Sequence, residues 1–180
     1  MEQTNLYSMT IPLMMKSLKA LSAILDKAMA HAETKGSERR PAAKQMENLL
    51  ADRLVFDQFP LIQQIQIACD NAKGAVGRLA EIEVPKFEDN EKTYEEIKAR
   101  IEKTLKVLED VKPEQIAGKE NVQVIIPYFA NKYFTGFDYV TSYLIPNFYF
   151  HVTTAYSILR KNGVDVGKND FTGELPLKSL

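Results

Sequence analysis

From Tyr139 to Leu159 the chain runs for 21 residues without an Asp, Glu, Lys or Arg. That run, YVTSYLIPNFYFHVTTAYSIL, restricts the possible fold more than any other stretch. It is long enough to span a bilayer as a helix. Its composition argues otherwise, because Thr141, Ser142, Asn147, His151, Thr153, Thr154 and Ser157 would mostly face lipid in a lone span. A helix surrounded by protein accommodates such groups through hydrogen bonds. The run therefore predicts a central core helix from about Phe137 to Asn162, closed by Gly163 as its C-cap. Pro146 has no N–H to donate to Ser142, so a kink or local opening is expected there.

Three further long helices read out of the same kind of periodicity. Ile11, Met14, Leu18, Leu21, Leu25 and Ala28 form one apolar stripe of a helix ending near Thr34, with Gly36 beyond it. After a loop, Pro41 opens a shorter helical piece through Leu54. A second long helix starts near Asp57 and Pro60, which supply a cap and a first turn. Ile62, Ile65, Cys69, Ala72, Val76 and Leu79 form its apolar face; Gln63, Gln66, Asp70 and Lys73 form a polar strip beside it. The third, from Thr93 to Val111, opens with a Thr93/Glu96 capping box and carries the stripe Tyr94, Ile97, Ile101, Leu105 and Leu108. Glu96 and Arg100 are spaced for an ion pair, and the charged remaining faces place this helix at the surface. Between it and the last helix, alternating Val122, Val124 and Ile126, a turn near Asn131, and Tyr133-Phe134 predict a short hairpin. The tail from Val164 reads as irregular. Four long amphipathic helices in one domain make an all-α four-helix bundle, residues 1–180 forming a single unit. The dozen or so residues between the second and third helices are enough to cross the bundle.

Bulk properties narrow the function classes. A formal charge of −1 and a pI near 6.2 supply no basic field for a phosphate backbone, which argues against nucleic acid as a partner. The single cysteine fits a reducing compartment. The start, MEQTNLYSMTIPLMMKS, has an acidic second residue, no basic n-region and no small-residue cleavage pattern, so no secretory signal is expected. Together these predict a soluble, cytoplasmic protein that does not engage membrane.

Of 8 Tyr and 9 Phe, eleven fall between Tyr128 and Tyr156, which fits core and hairpin packing or an aromatic-walled pocket under the hairpin. On the last helix Tyr143, Asn147 and His151 are spaced by four and share a face. Gln66 and Asp70 are their candidate partners. The set is either a satisfied buried network or the lining of a ligand pocket. His31, near the end of the first helix, complements the helix dipole or takes part in catalysis. Cys69, among Ile62, Ile65 and Ala72, is expected to be a buried, inert thiol. No serine–histidine–acid spacing, HExxH, P-loop or GxGxxG is present.

The segments LSAILDKAMAHA, FPLIQQIQIACDNAKGAVGRLA, FEDNEKTYEEIKARIEKTL and PNFYFHVTTAYSILRKNGVDVGKNDF resemble the domain-of-unknown-function family numbered nineteen ninety-three, of the DinB-like superfamily. The resemblance spans nearly the whole chain. It implies an up-down-down-up bundle, often dimeric. It also implies the place of a site where many relatives hold a divalent metal with three histidines, one on the second helix and an HxxxH pair on the last. On that register His151 takes the second position of the pair, Asn147 the first, and Gln66 the second-helix position, with Asp70 one turn away. His151 is thus the one weak metal candidate, and a bound metal or other cofactor is not expected, because Asn and Gln offer only neutral amides where zinc needs about three good donors. Three functions follow as expectations. The first is a small-molecule-binding bundle with a degenerate, non-metal core site lined by Gln66, Asp70, Tyr143, Asn147 and His151. The others are a metal- and thiol-dependent transferase or isomerase, and a structural or stress-related homodimer without ligand.

Overall fold

The computed structural model of the chain describes residues 4–179, so the acidic residue at position 2 lies outside the described residues. Four long helices carry the fold: α1 (Leu6–Lys35), α3 (Leu61–Leu79), α4 (Tyr94–Asp110) and α7 (Ile145–Lys161). Shorter elements join them: α2 (Ala42–Ala51), α5 (Pro113–Ile116), the strands β1 (Gln123–Val124) and β2 (Phe134–Thr135), α6 (Gly136–Asp138) and α8 (Lys168–Thr172). No described helix is long and apolar enough to cross a membrane.

Helix starts follow local chemistry. Asn5 Oδ1 accepts from the Ser8 N–H, and Ser8 Oγ accepts from the Asn5 N–H, both at 3.0 Å. Thr93 and Glu96 close the same reciprocal box on α4, as their spacing predicts. That box engages Glu96, so Glu96 is not the partner of Arg100. The helix after Asp57 begins only at Leu61, with Pro60 as its N-cap and the Leu61 N–H donating to the Asp52 carbonyl at 2.8 Å. Every residue of the predicted α1 stripe is buried.

The proline in the last helix has a specific consequence. Immediately before it, Tyr139–Leu144 adopts a π-helical turn, in which the Ile145 N–H reaches back to the Val140 carbonyl. Widening the turn relieves the clash of the Pro146 ring with the preceding turn and accommodates its missing donor. α6, the π turn and α7 form one continuous rod, opened where the sequence predicts.

Side-chain contacts fix the topology. Gln64, Asn71 and Arg78 of α3 touch His151, Asn147 and Tyr139 in turn, so α3 runs antiparallel to α7. Asp26 meets Lys98 while Lys19 meets Glu109, so α1 and α4 are antiparallel too. Ser17 meets Tyr149, and His31 lies by Gly163 at the other end, so α1 and α7 are parallel. The result is up-down-down-up. α3 and α4 therefore point the same way, and residues 80–93 return along a helix of 19 residues, about 28 Å.

The hairpin pairs Gln123 with Thr135 and Val124 with Phe134; Val124 and Ile126 face the core and Ile125 faces out. A Cβ at Gly136 would stand 2.0 Å from the Lys119 carbonyl oxygen, so the backbone of α6 packs directly on that loop. The tail differs from its reading as irregular. Gly163, at φ +82°, reverses the chain, Val164 and Val166 tuck into the core, and α8 docks on α1 through Asp170–Lys27 at 2.7 Å. Two alternating valines and a five-residue helix are too short to show as periodicity.

Candidate functional site

α3 is the central helix, buried on nearly all sides. Its face toward α7 carries Gln64, Asn71 and Arg78, seven apart, each with a polar partner across the interface. Arg78 Nη1 donates to the Tyr139 hydroxyl at 3.4 Å. Asn147 Nδ2 donates to Asn71 Oδ1 at 3.0 Å. Gln64 Oε1 stands 2.7 Å from His151 Nδ1. Three polar pairs thus run along an otherwise apolar seam.

The Gln64–His151 pair is ordered from outside. Gln64 Nε2 donates to the Phe59 carbonyl at 3.0 Å, which turns Oε1 toward the imidazole. His151 Nδ1 must then carry the hydrogen, and in the neutral ring the lone pair sits on Nε2. Burial holds the His151 pKa below its ordinary value, which favours that neutral ring. No described protein group partners Nε2. One atom of the seam is stranded: Asn71 Nδ2 is buried without an acceptor. The arrangement offers a neutral acceptor at His151 on α7 and an unmatched amide donor at Asn71 on α3, on facing sides of the seam.

The expected convergence of Gln66, Asn147 and His151 does not form. Gln64, rather than Gln66, faces the histidine. Two residues along a helix turn the side chain by about 200°, so Gln66 points toward α4 and the crossover segment. There Gln66 Nε2 donates to Glu91 Oε2 at 2.8 Å. Asp70 likewise leaves the seam and pairs with Arg100 at 3.0 Å and Lys73 at 3.1 Å. Tyr143 also departs, because the line Tyr143–Asn147–His151 presumes an unbroken α-helical repeat. The π turn rotates Tyr143 into an aromatic cluster, where its ring lies 6.1 Å from Tyr139, 5.5 Å from Phe129 and 5.8 Å from Phe134. Asn147 and His151 remain on the seam.

Gln66 and Asp70 instead belong to a network centred on Arg100, which is only 1 % exposed although α4 reads from sequence as a surface helix. Its guanidinium binds Asp70, Asp89 and Glu91 at 2.9–3.0 Å and lies over the Phe87 ring at 5.6 Å. Three of these contacts come from residues 87–91, so Arg100 fastens the crossover to the bundle. Cys69 lies beneath, fully buried; burial pushes its thiol up to about 12 despite the nearby guanidinium.

The chemistry of these donors does not fit the three-histidine metal arrangement that the resemblance implies. His151 is the one imidazole on the seam, its Nδ1 is committed to Gln64, and Asp70 is committed to cations on the far side of α3. Among the described residues no group of three or more His, Cys, Asp or Glu is placed to hold a metal ion.

Comparison with known proteins agrees with this architecture. A crystal structure of a DinB family member protein from Shewanella denitrificans superposes with a TM-score of 0.89 and 44 % sequence identity, covering 97 % of this chain and 96 % of that one. No protein of curated function matches the chain significantly. The family described as Domain of unknown function (DUF1993) matches residues 6–172, and with the bundle topology and the neighbour in agreement, the chain belongs to that family.

Proposed function

We propose that this protein is a small-molecule-binding bundle whose ligand is read at the α3–α7 seam, without a metal. The observation that carries this reading is the unmatched polar pair on that seam. Asn71 Nδ2 is buried with no acceptor, and His151 is fixed in the tautomer that leaves Nε2 open. Stranding a buried donor costs about 1–3 kcal/mol, which a ligand acceptor placed there would recover. Asn147, half-buried, already donates to Asn71 Oδ1, which leaves the Asn71 Nδ2 donor for a ligand.

A metabolite library screened by thermal shift tests this, because a ligand selective for the folded state raises the midpoint. The expected result is a hit whose shift is lost in both His151→Ala and Asn71→Ala. A hit indifferent to both variants would overturn the seam as its site. Stoichiometric zinc, nickel or iron in protein purified without chelator, lost in His151→Ala, would overturn the non-metal reading.

We also propose that the protein is cytoplasmic and works as a homodimer. Support comes from apolar side chains exposed at one end of the seam, with Phe56 92 %, Phe59 48 % and Phe150 53 % accessible. A light-scattering mass near 20.4 kDa at all concentrations would exclude the dimer.

A further inference from the structure

The carboxyl-terminal ends of α1, α2 and α7 meet at one end of the bundle around a cleft of about 580 Å³. Six polar side chains line it: His31, Lys35, Gln45, Asn48, Asp52 and Asn162. They fall into two sets. Asp52 and Asn162 are committed to the protein, since Asn162 Nδ2 donates to Asp52 Oδ2 at 2.6 Å and Lys161 Nζ stands 3.0 Å from the same oxygen. The side chains of His31, Lys35, Gln45 and Asn48 have no hydrogen-bond or ion-pair partner among the described residues. His31 is half-buried, held against the end of α7, where a Cβ at Gly163 would lie 3.8 Å from its Cε1.

The charges in the cleft nearly cancel. Lys161 neutralises Asp52, and Lys35 is the one cation left on the lining. It is opposed by the carbonyl ends of three helices, each carrying roughly half a negative charge. Neither an anion nor a cation is strongly favoured. Besides the Lys35 ammonium, the free groups are an imidazole and two carboxamides, which donate and accept at once, as hydroxyl groups do.

We propose that this cleft is a second ligand site and that it takes an uncharged, hydroxyl-rich small molecule of the monosaccharide or polyol class. It is separate from the α3–α7 seam, since His151 precedes Asn162 by eleven residues, roughly 16 Å along α7.

The test is a titration with glucose and myo-inositol, and with gluconate and glucosamine as charged counterparts, at concentrations too low for osmolyte effects. Binding is followed through the His31 ring protons by NMR. A Gln45→Ala/Asn48→Ala double variant removes both carboxamides while keeping good helix formers on α2. The expected result is saturable binding of a neutral probe that shifts His31, weakens about tenfold or more in the double variant, and persists in His151→Ala. The proposal is overturned if neither neutral probe saturates, if the double variant binds as well as the parent, or if a charged counterpart binds more tightly. Loss of seam binding in His151→Ala with cleft binding intact separates the two sites.

Discussion

Gln64 gives one hydrogen bond and takes one, and that arrangement decides the state of the histidine facing it. Removing the ring leaves Gln64 Oε1 buried without its donor. His151→Ala is therefore expected to lower the unfolding free energy by about 1–3 kcal/mol, read by urea denaturation at pH 8. An unchanged midpoint would mean that water replaces the ring without cost. The same reasoning applies to the cysteine, in the opposite sense. Cys69 is fully buried, its thiol held up near 12 by desolvation, so almost none of it is thiolate at neutral pH. A disulfide reagent should modify it only after urea unfolds the chain. Rapid stoichiometric labelling of the native protein would contradict the burial.

The crossover between α3 and α4 depends on one side chain more than on its own sequence. Arg100→Ala leaves Glu91, 11 % exposed at its side chain, without its main partner and frees Phe87 and Asp89 from the bundle. Since Asp70 and Asp89 keep solvent contact, the cost should sit near the lower end for a broken buried pair, about 3 kcal/mol. Amide exchange should rise first in residues 83–92; a uniform rise across the bundle would show that Arg100 supports the core instead. The hairpin junction offers a sharper case. A methyl group at 136 meets a backbone carbonyl that cannot rotate away, so Gly136→Ala should cost about 2–3 kcal/mol in the same urea assay. How much of this was legible in the sequence divides along physical lines. The long helices, the capping box of α4, the hairpin and the opening at Pro146 follow from local periodicity and backbone chemistry. Asn147 and His151 lie beyond the π turn, where the α-helical repeat holds, so their spacing of four keeps them on one face. Tyr143 lies within the π turn, which breaks that repeat. The choice of Gln66 rests on the family register and on the polar strip it shares with Asp70, whereas α3 is buried on nearly every side and a second polar line, Gln64, Asn71 and Arg78, is the one that faces α7. Arg100 read as a surface residue because its partners lie in the crossover and on α3, a relation no local window contains.

Across the whole molecule, the shifted groups define a plateau of stability with two edges. On the acid side, His151 has a depressed pKa in the folded state. The unfolded chain takes up a proton from about pH 6.5 downward while the folded chain does not, so its contribution is full above 6.5 and is lost as pH falls toward the folded value. Asp26, Asp52 and Asp170 are also depressed, from an ordinary value of 3.8, so their contributions disappear lower, as pH falls through 3.8 and below. On the alkaline side the relation reverses. Cys69 and Tyr94 both rise to about 12, so the unfolded chain releases those protons from about pH 9 to 10 upward while the folded chain keeps them. Stability should therefore be flat between about pH 6.5 and 9, and fall beyond both edges. Urea denaturation across that range checks the shape, and two variants assign its edges. His151→Gln should remove the first decline below pH 6.5 while leaving the drop below 4 in place. Cys69→Ala should soften the alkaline decline without abolishing it, since Tyr94 remains. An acid edge near 6.5 that survives in His151→Gln would place the responsible proton on another group, and with it would fall the neutral imidazole on which the seam's chemistry rests.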